Sequence, residues 1–118
     1  MGKIKNIDYL HNKPVNSVKI EENAVVFMLE TGEKITLFAT EYEQIPLKTN
    51  AILERYAIVN PWGKGVNPEL VPAGFLTKIT GWHTDDAVTF ECQIGMHLLE
   101  VRWRLLYCSR LYYAIDVE

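Results

Sequence analysis

Ala87-Val88-Thr89-Phe90-Glu91-Cys92-Gln93-Ile94, then Gly95-Met96, then His97-Leu98-Leu99-Glu100-Val101-Arg102-Trp103-Arg104 is the stretch that decides the fold. Val88, Phe90, Cys92 and Ile94 fall on every second position, with Thr89, Glu91 and Gln93 between them. That is the period of a half-buried strand. Gly95 stands at the first central position of a two-residue turn, where a type II′ hairpin needs a positive φ. Alternation then resumes, with Leu99, Val101, Trp103 and Leu105 on one face and Glu100, Arg102 and Arg104 on the other. So tight a turn fixes the register. Cys92 faces Leu99, Phe90 faces Val101 and Val88 faces Trp103, apolar against apolar at each rung. The same register opposes Glu91 to Glu100, a like-charge pair that costs a little. Arg102, diagonal to Glu91, or a bulge offsets it. A helix over 98–110 is rejected, because Glu100, Arg102 and Arg104 alternate and the Trp, Tyr and Val content favours strand.

Downstream, Leu111, Tyr113, Ile115 and Val117 alternate inward with Tyr112, Ala114 and Asp116 outward. The expected arrangement is a three-stranded meander over Ala87 to Glu118. Pairing 105 with 111 sets Trp103 against Tyr113 and Val101 against Ile115. It also brings Arg104 beside Tyr112 for a cation–π contact.

Upstream, residues 1–14 read as a short strand or arm ending at Pro14. Val15 to Ile20 reads as a strand with Val18 and Ile20 inward, and Glu21-Glu22-Asn23 as a turn. Ala24 to Leu29 is apolar on both parities, as in a strand covered on both faces. Thr31-Gly32-Glu33 closes a hairpin into Lys34–Phe38, with Ile35 and Leu37 inward. Thr40 to Glu43 reads as one helical turn near 40–45, ended by Pro46. Residues 53–59 read as a strand, although Asn50 also allows a helix over 51–56. Asn60 to Gly74 holds three prolines and three glycines, so a long loop is expected. Phe75–Thr80 reads as a strand with Phe75 or Leu76 inward beside Ile79, and Gly81 to Asp86 as a turn. The fold expected is mainly β, a small antiparallel barrel or sandwich of two meanders. It has about seven or eight strands and at most one short helix. Its core holds Trp103, Phe90, Val101, Ile115, Phe27, Leu37 and Ile79.

Composition fits one soluble domain over 1–118: 48% hydrophobic, 23% charged, net charge −3. An acidic chain lacks the attraction that dominates nucleic-acid binding, and no apolar run approaches membrane length. Neither partner is expected. Two cysteines make no disulfide framework, and Cys92 reads as a buried thiol. Met1-Gly2-Lys3-Ile4-Lys5-Asn6 has no signal core, and Asn6 stands where myristoylation wants Ser or Thr. A cytoplasmic protein is expected.

No motif carries chemistry alone. His11, His83 and His97 are scattered without metal-ligand spacing. Cys108 beside Arg110 has no identifiable base, and Ser17 and Ser109 have no nucleophile elbow. No catalytic residue, metal or cofactor is assigned. In the loop, Trp62 reads either as a lid on the core, the preferred reading, or as a stacking platform with Lys64 free between two glycines. Gly63-Lys64-Gly65 lacks the spacing of a phosphate loop. His83 with Asp85 and Asp86 reads first as an ordinary turn and second as an oriented imidazole. The outward face of the C-terminal meander carries Glu91, Glu100, Arg102, Arg104, Tyr112 and Asp116, and Arg and Tyr are enriched at interfaces.

Val101-Arg102-Trp103 followed by Tyr112-Tyr113 resembles the ends of some small uncharacterised β-rich bacterial and phage domains. The likeness covers a small part of the chain, includes no diagnostic glycine turn and implies no activity.

Two functions follow as expectations. One is a non-enzymatic protein-binding module, an inhibitor, immunity-type or accessory protein, docking through Glu100, Arg102, Arg104 and Tyr112. The other is a small-molecule site under the 60–74 loop, built from Trp62, Lys64, His83 and Asp85. A bare edge strand also allows self-association.

Overall fold

Short tight turns between alternating segments give antiparallel neighbours, and the computed structural model follows that logic through nine strands. It describes residues 3–41, 51–63, 74–84, 87–104 and 111–118. The strands are β1 (Lys3–Lys5), β2 (Pro14–Glu21), β3 (Ala24–Leu29), β4 (Lys34–Thr40), β5 (Ile52–Val59), β6 (Gly74–His83), β7 (Ala87–Ile94), β8 (His97–Arg104) and β9 (Tyr112–Val117). A single-turn 3-10 helix, Ile7–Leu10, is capped by the Asn6 side chain, which accepts from the Asp8 N–H at 3.0 Å.

The order β1-β9-β4-β3-β2-β6-β7-β8-β5 is antiparallel throughout. Among the described residues, the two halves pair strand to strand where Pro14 and Val15 meet Phe75 and Gly74. Gly74 is required there, because a Cβ would lie 2.6 Å from the Gly95 nitrogen. The sheet folds over at this joint, and one core forms between its halves, from Val25, Phe27, Leu37 and Ile115 on one side and Phe90, Leu99, Val101 and Trp103 on the other. Its end strands, β1 and β5, do not pair with each other, so no barrel closes.

Of the two predicted meanders, β2-β3-β4 forms as expected, while of the C-terminal one only the β7-β8 hairpin forms, flanked by β6 and β5. Glu22 and Asn23 both take positive φ, 45° and 62°, which makes the β2–β3 connection a two-residue turn of the type I′ kind. Gly95 has φ 59°, and Cys92, Phe90 and Val88 face Leu99, Val101 and Trp103 as the pattern required. Trp103, Phe90, Val101, Ile115, Phe27 and Leu37 are fully buried. Ile79 only packs partly buried against them.

Five expectations are corrected. First, β9 does not follow β8. It pairs with β4 and β1, setting Leu37 against Ile115 and Ile35 against Val117, while the free edge of β8 takes β5. Trp103–Tyr113 and Val101–Ile115 are therefore not cross-strand pairs. Second, Gly81-Trp82-His83 is strand, not turn. A register shift between Thr77 and Thr80, with Lys78 at φ 51°, lets β6 run on opposite Phe90, Thr89 and Val88. Third, Val15 is buried as well as Val18. A bulge between Val15 and Ser17 places residues three apart on one face. Fourth, Ala114 is buried, in a second small cluster with Ala24 and Phe38. Fifth, Met28 is exposed, so β3 is covered on its outer side only over Ala24 and Val26. The helical turn expected near 40–45 lies largely outside the described residues.

One hydrogen bond ties the layers at their far end from the joint. Trp103 Nε1–H donates to the Asn23 carbonyl at 2.7 Å, and Asn23 Oδ1 accepts from the Leu53 N–H at 3.3 Å. The β2–β3 turn is thus pinned onto β8 and β5. Trp103→Phe keeps most of the buried ring but leaves the Asn23 carbonyl unpaired. It is expected to cost about 2–4 kcal/mol in urea unfolding. A loss under about 1 kcal/mol would show that this pin does not hold the layers together.

Candidate functional site

On the outward face of β8, Glu100, Arg102 and Arg104 alternate as expected. Their partners come from the edge strand β5. Its register against β8 shifts between Leu53 and Arg55, so that Glu54 is the extra residue and Arg55 faces Arg102. Glu54 then receives two guanidinium groups: Arg102 Nε at 3.2 Å from one carboxylate oxygen and Arg104 Nε at 3.4 Å from the other. Arg55 reaches Glu100 at 3.3 Å. Glu54, Arg55, Arg102 and Arg104 line an open surface cleft of about 290 Å³. The Arg102 Nε–H is buried and close to Glu54, yet has no acceptor aligned for a hydrogen bond. Partly exposed pairs of this kind contribute little to folding.

Glu91 faces Glu100 as the register required, but Arg102 turns to Glu54 instead of offsetting the pair. Burial, then the Glu100 charge and a hydrogen bond to it, hold the Glu91 carboxyl above its ordinary pKa. A carboxyl raised in the fold favours folding below its unfolded pKa, and that contribution is lost as pH rises through the folded value. Tyr112 does not join this face. It lies on β9 opposite Thr40, with its ring 5.6 Å from the His83 ring.

His83 belongs to a second grouping, at the seam between the layers. Its ring stacks on Tyr113 at 6.3 Å with an interplanar angle of 4°, and Phe90 meets Tyr113 edge-on at 6.1 Å. Gly81 makes room for Tyr113, since a Cβ there would collide with the phenol ring and hydroxyl. Burial and the Asp8 charge push the Tyr113 phenol above its ordinary pKa.

The residues expected under the 60–74 loop are not brought together among the described positions. Trp62 lies just beyond β5, whose end Val59 faces Leu98, while His83 faces Val88, itself opposite Trp103. The five-residue step from Leu98 to Trp103 alone spans about 17 Å. Trp62 is 82% exposed and covers no core, so it is not a lid. Lys64 and Asp85 lie outside the described residues, as do Asp86, Cys108 and Arg110. Cys92 is buried, and burial pushes its thiol up to about 12. Among the described residues, no three His, Cys, Asp or Glu side chains are placed to share a metal ion. Sequence reading missed Glu54 and Arg55. Their link to Arg102 and Arg104 depends on the bulge and on β5 choosing β8.

Glu91→Gln is expected to stabilise the fold by about 0.2–1 kcal/mol at neutral pH, the cost of like charges facing across strands. The gain should vanish near pH 3, where Glu91 is protonated anyway. An equal gain at both pH values would remove the charge explanation. Gly81→Ala should cost about 1–3 kcal/mol by displacing Tyr113. In a Tyr113→Ala background the same change should cost much less. Additive effects in that cycle would show that the two positions are not coupled.

No protein-family model, curated protein or solved structure matches the chain, so its function has to be argued from these residues and their geometry.

Proposed function

We propose that this chain is a non-enzymatic protein-binding module of the cytoplasm, docking through the outward face of β8 and β5. The observation that carries the reading is the surface cleft lined by Glu54, Arg55, Arg102 and Arg104, whose ion pairs stay partly exposed to water. A docked partner excludes water from ion pairs that contribute little while wet, and its carbonyls or carboxylates meet the partly exposed guanidinium groups of Arg55 and Arg104.

The composition of the face supports the same reading. Arg104 sits opposite Ile52, whose side chain is exposed, and Trp82 is exposed on β6, two strands away. The neighbouring edge of β5 adds a second attraction. It has no strand partner among the described residues, and the opposite edge, β1, is only three residues long and carries Lys3 and Lys5. Short, lysine-bearing edges resist pairing, which leaves β5 as the edge beside the docking face.

The test is charge reversal on the face. Arg104→Glu and Arg55→Glu, each folded with an unchanged melting temperature, should weaken a partner identified by native mass spectrometry about tenfold or more, or ~1.4 kcal/mol. Tyr112→Ala, on the other layer, should leave that affinity unchanged. If both charge reversals bind as tightly as the parent protein, this face is not the docking surface.

A further inference from the structure

Among the described residues, the three most exposed large apolar side chains outside this cleft fall at the opposite end of the same half-sheet. Trp62 is 82% exposed, Met96 76% and Phe75 59%. Their meeting follows from the register. Met96 sits in the β7–β8 turn. The Gly95 N–H bonds the Phe75 carbonyl at 3.0 Å, and Trp62 follows the end of β5, where Val59 faces Leu98. Four adjacent strands span about 14 Å, so the three residues form one row across the tip. Trp62 is fixed in a tight turn, with its N–H bonded to Asn60 Oδ1 at 3.0 Å and Gly63 bonded back to Asn60 at 3.0 Å. Turn positions ordinarily take Gly, Pro, Asn, Asp or Ser. Here two neighbouring turns present Trp and Met to solvent.

We propose that this tip is a lipid-contact site, which inserts Trp62, Met96 and Phe75 into the interface of an anionic membrane surface. Charge supports that occupant. Over the last rungs of this end, 58–63, 74–79 and 92–99, the described residues hold no Asp or Glu in a chain of net charge −3, and their basic residues are Lys78 and His97; the carboxylates of Glu91 and Glu100 stand one rung further in. Glu30, whose N–H bonds the Pro14 carbonyl, lies on the other side of Phe75 from Met96 and Trp62. Shape supports it too. A convex tip of two turns and one strand end is too small for a standard protein interface of about 800 Å² per partner. Interfacial insertion needs only a few side chains, and Trp is the residue whose amphipathic ring settles at the headgroup level. Such a contact lies on the membrane and does not span it. Among the described residues, no helix is long and apolar enough to cross one.

The experiment is co-sedimentation with phosphatidylcholine vesicles containing about 30% phosphatidylglycerol. The parent protein should bind. Trp62→Ser and Met96→Ser should each lower the partition coefficient about fivefold or more. Trp82→Ser, on the sheet face away from the tip, should not change it. These turn positions are solvent-exposed, and the buried Trp103 reports that each variant is folded. Quenching by spin-labelled lipid in the otherwise native Trp82→Phe protein gives an independent readout, with Trp62 quenched and Trp103 not. Absence of vesicle binding by the parent protein overturns the proposal and leaves the tip to a protein partner. So does binding that survives the double change Trp62→Ser/Met96→Ser.

Discussion

The architecture depends on a sheet that folds back on itself while its two halves, among the described residues, pair strand to strand at one short joint. Pro14 and Val15 against Phe75 and Gly74 form the joint, and Trp103 Nε1–H to the Asn23 carbonyl forms the pin at the other end. The pin works because of a turn. Glu22 and Asn23 both adopt positive φ, so the β2–β3 hairpin is tight enough to deliver the Asn23 carbonyl to an indole fully buried among residues of both layers. The Asn23 side chain then takes up a main-chain donor of β5, which ties the edge strand to the same point. Burial of Trp103 without this acceptor would strand an indole N–H in the core, so packing and hydrogen bonding here are one constraint.

How much of this was legible in sequence depended on how local each decision was. The β7–β8 hairpin was legible to the residue, because a two-residue turn with Gly95 leaves one register and the alternating side chains agree with it. The destination of β9 was not. Leu111 to Val117 announces a strand but not its neighbour, and the choice between β8 and β4 is decided by which edge other strands leave open. β5 occupies that edge of β8, and its own identity as helix or strand was ambiguous in sequence. Bulges were the second blind spot. One extra residue at Val15/Ser17, Leu53/Arg55 or Thr77/Thr80 reverses the parity of everything beyond it. No residue type marked these places. For that reason Gly81 to His83 are strand where a turn is expected, since the shift at Thr77/Thr80 carries β6 on through His83.

The candidate site shows the same division. Glu100, Arg102 and Arg104 could be assigned to one face from alternation alone. Glu54 and Arg55 complete the cluster from a strand far away in the chain, through a bulge, so the connected network had no signature in the sequence. Tyr112 failed for the opposite reason: its place beside Arg104 assumed a neighbour that β9 does not take. Trp62 failed because burial is the default for a large aromatic, and its turn between Pro61 and Gly63 holds it outside the core.

The outward face of β6-β7-β8-β5 thus divides along the strands. Toward Arg104 and Ile52 it carries paired charges; toward Leu98 and Val59 it loses its carboxylates and ends in Phe75, Met96 and Trp62. Neither half is what folding alone would select. Partly exposed ion pairs contribute little to stability, and apolar side chains at turn tips gain nothing from the fold that a serine would not. The core meanwhile is closed by Trp103, Phe27, Phe90 and the aliphatic residues between them, with no help from either end. Because the two halves sit on one continuous sheet, a macromolecule docked on the charged half and a lipid surface at the tip, as proposed, would meet the same sheet. Contact at one end therefore orients the other, so a partner bound beside Arg102 would be held at a fixed angle to whatever surface Trp62 enters.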